Sequence, residues 1–149
     1  MPFVSFLYDL AKGAALYLAI VVGGITLFLI LSPIFGYVPY GDRSGPAWVG
    51  SFPALGWAAF WNHALRSLTF GAYLCLLMAP AAVFCAGAIR VAERMHASTS
   101  LVRVGGGLVT TIVTAFFALG AGWFVALPRP AWLVSIALGL LAGGWLLPR

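Results

Sequence analysis

The groups that could ligate a metal or move a proton are few: His63 and His96, Asp9, Asp42 and Glu93, Cys75 and Cys85. Metal or haem ligation needs several such side chains converging on one point, and general acid–base chemistry needs a carboxylate or imidazole held against the reacting atom. Cys75 and Cys85 share one apolar run. On a helix, ten steps put them about 15 Å apart along the axis and about 80° apart in azimuth. A disulfide requires Cα atoms within about 7 Å, so the two cysteines read as small packing residues. No CxxC spacing occurs, and no Ser–His–acid grouping is apparent. Gly105-Gly106-Gly107 lacks the Lys-Ser/Thr that follows in a phosphate loop and opens an apolar run, which points to close helix packing instead. The expectation is a non-catalytic protein with no metal or cofactor site. Single-residue ligation of a pigment by His63 or His96 is the one exception the residues leave open.

The elements that carry these residues follow from composition. Of 149 residues, 63% are hydrophobic and 7% charged, and the mean hydropathy is +1.06. Soluble domains carry about 25% charge, and disorder requires low hydrophobicity, so an integral membrane protein remains. The net charge of +5 comes from basic residues scattered singly at segment ends, as helix anchors are. That scatter argues against a nucleic-acid partner.

No charge interrupts the stretches between Lys12 and Asp42, Arg66 and Arg90, Arg103 and Arg129, or Arg129 and Arg149. Within them the sequence predicts four transmembrane helices, at about 13–35, 67–89, 104–127 and 131–147, since a hydrocarbon core of about 30 Å takes roughly 20 residues. Backbone amides in lipid must be paired within the segment, so the predicted fold is all-α: a polytopic four-helix bundle. The first span exceeds the length of a cleaved signal peptide's apolar core and reads as a retained signal-anchor. Counting Lys12, Arg90, Arg94, Arg103 and Arg149 on one side against Arg43, Arg66 and Arg129 on the other puts both termini in the cytoplasm, with the protein in a bacterial inner membrane. Tyr37, Tyr40, Trp48, Trp57, Trp61, Trp123 and Trp132 then fall on the outer side as an interfacial belt.

The loops carry three candidate surfaces. Arg90, Arg94 and Arg103 flank the inner loop and suit anionic lipid headgroups, with Arg90 and Glu93 at the i,i+3 spacing of an ion pair. Ser98-Thr99-Ser100 supplies N-caps for the third helix. The long outer loop turns apolar again, and residues 53–65 read as an interfacial helix, too short to cross. A continuous helix from there to residue 89 would measure about 55 Å, so a bend is expected near Asn62–Ser67. Trp48, Trp57, Phe60 and Trp61 make this segment a candidate outer docking surface.

Small residues at four-residue spacing are the remaining signal: Gly139 and Gly143 in the fourth span, Ala118 and Gly122 continuing Thr110 and Thr114 in the third, Ala19 and Gly23 in the first. Such faces let helix backbones approach closely in lipid. Pro80 falls in the middle of the second span and removes one helix hydrogen bond. Together these features predict an accessory or assembly subunit of a larger membrane complex, with membrane lipids and other membrane subunits as partners. The alternative is a homo-oligomeric channel or carrier for a neutral or lipidic substrate, lined by Thr110, Thr111 and Thr114.

Overall fold

Long uncharged runs leave the helix as the only conformation that pairs every backbone amide locally. The computed structural model describes residues 2–32, 56–124 and 129–148, and across these the chain is helical with no strand. Helix α1 spans Pro2–Leu31, α2 Gly56–Arg94, α3 Thr99–Phe124 and α4 Arg129–Leu141, the last continuing as a π-helical turn over Ala142–Leu146. Three stretches are long and apolar enough to cross a membrane: Pro2–Leu31, Phe60–Arg94 and Thr99–Phe117. This is the pattern of a multi-pass membrane protein. The apolar stretch Leu133–Leu146 is shorter.

Neighbouring helices run antiparallel. Gly13 of α1 sits against Ala86 of α2, and Thr26 against Gly71, so the residue numbers rise along one helix as they fall along the other. Gly24 meets Leu138, Gly106 meets Gly143, and Ile89 meets Gly106. The helices therefore follow one another around the bundle in chain order, with α4 returning to α1. The α1 core stripe is Gly13, Tyr17, Val21, Ile25 and Leu29, a four-residue repeat that turns one face inward. On α2 the matching stripe is Ser67, Gly71, Leu74, Met78, Ala82, Cys85 and Ile89, all buried.

Two features of the sequence reading change. The helix α2 continues without interruption through Asn62–Ser67, where a bend was expected after a separate interfacial helix. The physical reason is local. No proline or glycine falls between Trp57 and Phe70, and His63 ties this stretch to the end of α1, its Nε2 donating to the Leu29 carbonyl at 2.6 Å. That carbonyl also accepts from Ser32 Oγ at 2.7 Å, closing the C-terminus of α1. At 39 residues, α2 is about 58 Å long and outreaches the hydrocarbon core. Helix α1 also begins at Pro2 rather than near residue 13, which brings Phe6 and Asp9 onto the same rod as the apolar run. Residues 33–55, including Trp48, lie outside the described residues.

The α2–α3 connection is built from two caps. His96 has φ 56°, the left-handed conformation that usually selects glycine. Its N–H donates to Glu93 O and that of Ala97 to Ala92 O, both at 3.2 Å, the two bonds of a Schellman motif. Ser98 then caps α3, its Oγ accepting from Leu101 N at 3.3 Å. A left-handed residue with a side chain costs about 1–2 kcal/mol, offset in part by the greater chain entropy of glycine when unfolded. His96→Gly should therefore raise stability by roughly 0.5–1 kcal/mol, and the β-branched His96→Val should lower it. The order of thermal midpoints in detergent, Gly above His above Val, checks this. Equal midpoints for His and Val would contradict the left-handed assignment.

Candidate functional site

The antiparallel order gathers charged and polar residues of three elements at one end of the bundle. Asp9 from α1, Arg90, Glu93 and Arg94 from the last turns of α2, and Thr99 from the start of α3 line a cleft of about 360 Å³, with Phe6 and Pro148 at its walls. Arg90 is 9% exposed, and its Nη1 donates to Glu93 Oε2 at 2.7 Å, the i,i+3 pair that the spacing predicts. A guanidinium this buried is held by its partner, because an unpaired buried charge is costly. The Arg94 guanidinium lies 4.6 Å from the centre of the Phe6 ring, a cation–π contact between α2 and α1. Arg103 is exposed and stands 5.5 Å from the Trp145 ring. Of the three candidate headgroup residues, Arg90 and Arg94 thus share one cleft, while Arg103 sits on α3 beside the π-helical turn.

Inside the bundle a polar seam runs between α1, α3 and α4. Tyr17 and Thr114, both fully buried, share a hydrogen bond of 2.8 Å between their hydroxyls. Thr110 Oγ1 donates to Gly106 O at 2.7 Å, a bond back along its own helix. The small residues of α4 fit against this seam. A Cβ added at Gly139 would stand 3.0 Å from Thr114 Oγ1 and 3.1 Å from Thr110 O. At Gly143 it would collide with Thr110 Oγ1 and the Gly106 carbonyl. The Gly139/Gly143 face is therefore consumed within the bundle. Thr111 Oγ1 is buried and is the one such side-chain atom among the described residues with no hydrogen-bond partner.

The α1 pair behaves differently. Ala19 and Gly23 are exposed, and nothing stands within 4 Å of a Cβ built on Gly23. With Thr26, Leu68, Gly71 and Ala72 they line an apolar groove of about 500 Å³ between α1 and α2. Beyond its end, at the start of α2, Trp61 is 60% exposed and packs edge-on against Phe60 at 5.4 Å between ring centres. The side-chain surroundings of Trp57, Ala118 and Gly122 lie outside the described residues.

His63 and His96 sit at opposite ends of α2. His63 is buried with Nε2 engaged on Leu29 O. His96 is exposed in the turn. No group of three or more His, Cys, Asp or Glu residues gathers to hold a metal among the described residues. The sequence reading missed Phe6, Asp9, Tyr17 and Trp145. Asp9 and Phe6 precede the apolar run, so hydropathy alone gave no reason to pair them with the inner loop. Tyr17 offered a signal in hindsight: it is the one phenol within the first apolar run, and a buried phenol seeks a partner. The chain matches none of the protein families, curated proteins or solved structures with which it was compared.

The seam yields a graded prediction. Tyr17→Phe should cost about 0.6–1.7 kcal/mol, the range of hydrogen bonds between membrane helices. Gly143→Val should cost at least about 2 kcal/mol, because backbone atoms of α3 cannot give way, and Gly23→Ala should cost nothing measurable. Unfolding in mixed micelles by titration with a denaturing detergent measures all three. A Gly143→Val variant as stable as the parent would refute the close approach of α3 and α4.

Proposed function

We propose that this chain is a non-catalytic accessory or assembly subunit of a larger membrane complex. The observation that carries the reading is the unequal fate of the two small-residue faces. Gly139 and Gly143 are filled by Thr110 and Thr114, whereas Ala19 and Gly23 open on an apolar groove. Small residues facing lipid gain nothing there. Their use in lipid is to let another helix come close. The exposed Trp61 extends the same side toward the outer end of the bundle. The proposed architecture has four spans, α4 with its π-helical continuation making the fourth, and both termini on the cytoplasmic side of an inner membrane.

The alternative, a homo-oligomeric channel or carrier, would use the threonines as a polar lining. Thr110 and Thr114 have their hydroxyls committed to Gly106 O and Tyr17, and only Thr111 Oγ1 favours that reading.

The test is to tag the C-terminus, solubilise native membranes gently, and size and sequence everything that co-migrates. A defined, stoichiometric set of other proteins is expected. Gly23→Leu should reduce their recovery roughly tenfold by filling the groove that admits a partner helix, without lowering the thermal midpoint, since Gly23 has open space around it. A chain that runs alone would end the subunit reading, and one that runs only with itself would replace it with the homo-oligomer. For orientation, a cysteine placed at Ser98 in the α2–α3 turn should react with a membrane-permeant maleimide and not with an impermeant one.

A further inference from the structure

The bundle does not end at its layer of charge. On α1, Phe3 and Tyr8 precede Asp9 and Lys12, and on α2 Met95 follows Arg90 and Arg94. Leu101 precedes Arg103 on α3, and Trp145 of the π-helical turn stands beside the Arg103 guanidinium. The Arg94–Phe6 contact sets the last turn of α2 level with the second turn of α1, and Thr99 and Pro148 share a cleft with both residues. Phe3, Tyr8, Met95, Leu101 and Trp145 therefore form a collar at one level, and each is 64–76% exposed. In water, contiguous apolar surface of this kind is what a soluble monomer avoids.

What covers the collar follows from its shape, its charge and the length of α1. All four helices contribute to it, α4 through its π-helical turn. A lipid leaflet surrounds a bundle in this way, whereas a docked partner covers one side. The exposed charges at this level, Lys12, Arg94 and Arg103, are all basic, while Asp9 and Glu93 are less exposed and line the cleft. Aromatic rings beside Lys and Arg are the composition of a membrane–water interface. At 30 residues, α1 is about 45 Å long. That matches a bilayer with its headgroup layers included, against about 30 Å for the hydrocarbon core alone.

We propose that this end of the bundle is seated in the headgroup layer of one leaflet and binds anionic phospholipids around its rim. Phe3, Tyr8, Met95, Leu101 and Trp145 lie at the acyl boundary, and Lys12, Arg94 and Arg103 meet the phosphates. Residues 2–8, outside the first span read from hydropathy, are thereby a membrane anchor and not a segment in water. This inference rests on membrane residence and not on the subunit reading, so a chain that purifies without protein partners still tests it.

The experiment uses the full chain in nanodiscs of phosphatidylcholine mixed with phosphatidylglycerol. Tyr8→Cys, Leu101→Cys and Trp145→Cys each carry an environment-sensitive fluorophore, and the parent taken through the same labelling gives the background from Cys75 and Cys85. Ser98→Cys, in the α2–α3 turn, is the water-facing reference. All three collar fluorophores should be quenched by lipids spin-labelled next to the headgroup. Aqueous iodide should quench them at least roughly fivefold less than the reference, as burial at the acyl boundary requires. Native mass spectrometry of the gently extracted chain should find phosphatidylglycerol retained in preference to phosphatidylcholine. Lys12→Gln with Arg103→Gln should reduce that preference roughly fivefold per charge removed. Both side chains are exposed, so the double variant should keep the parent's thermal midpoint, which separates loss of the lipid contact from misfolding. Any collar position as open to iodide as the reference overturns the proposal. So does a position shielded from iodide and from spin-labelled lipid alike, which would mean that a second copy covers that side. Equal retention of the two lipids by the parent overturns the anionic half of it.

Discussion

The contact on which the bundle depends is the approach of the α3 and α4 backbones at Gly106, Thr110 and Gly143. A Cβ built on Gly106 would lie 2.7 Å from the carbonyl oxygen of Gly143, so the two chains touch with no side chain between them. In lipid, apolar side chains gain little by leaving one neighbour for another, and helices hold together through close packing and whatever polar groups they can pair. Thr110 serves both ends: its Cβ and hydroxyl fill the notch left by Gly143, and its hydroxyl is satisfied on Gly106 O. The π-helical turn begins at this crossing. Leu147 N donates to Ala142 O at 2.8 Å, an i→i+5 bond that admits one extra residue per turn. Trp145 is thereby exposed beside Arg103, while Leu147 is buried with its Cδ2 near Gly13 of α1. One glycine contact in the α3–α4 hairpin is thus tied to how α1 closes the bundle.

The polar groups are distributed by the same constraint. Within the apolar length hydroxyls are spent locally or across one interface: Thr69 on Leu65 O, Thr110 on Gly106 O, Tyr17 with Thr114. Arg66 and Arg129 stand toward one end, and among the described residues every carboxylate, with Arg90 and Arg94, lies at the other, where α1 starts, α2 stops and α3 begins. There the Arg90–Glu93 pair is nearly buried, and a buried pair is a weak source of stability because desolvation offsets its attraction. What the pair does achieve is position, fixing a guanidinium and a carboxylate at the wall of a cleft that three helices share.

Much of this was legible in the sequence because charge and hydropathy report directly on burial in a membrane protein. The uncharged runs located the three long apolar helices, the Arg90–Glu93 spacing gave the ion pair, and Ser98 gave the cap of α3. The errors come from terms that hydropathy does not contain. The length of α2 was judged against bilayer thickness, whereas its continuity is decided by helix propensity and by the His63–Leu29 bond, a contact between residues of different helices. The left-handed turn at His96 carries no glycine to announce it. The meeting of Asp9 and Phe6 with Arg90 and Arg94 depends on which helices are neighbours, and periodicity in one helix is silent about that. The small-residue pairs were visible, but spacing alone does not say whether the facing helix belongs to the same chain.

For α1, azimuth supports the proposed answer. Tyr17, Val21 and Ile25 form the buried stripe, and Ala19 and Gly23 stand two positions after Tyr17 and Val21. Two steps along an α-helix turn about 200°, so the small pair faces almost directly away from the core. A helix packed on one side only has no use for small residues on the other. Many exposed positions elsewhere on this bundle carry large side chains, such as Leu76, Phe84 and Phe116, each at least 61% exposed, although Ala15, Ala88, Gly120 and Ala137 are exposed too. What sets the α1 strip apart is its continuity with Gly71 and Ala72 of α2, which makes it one groove and not a single gap, and that is the ground on which the proposed docking of a second helix rests.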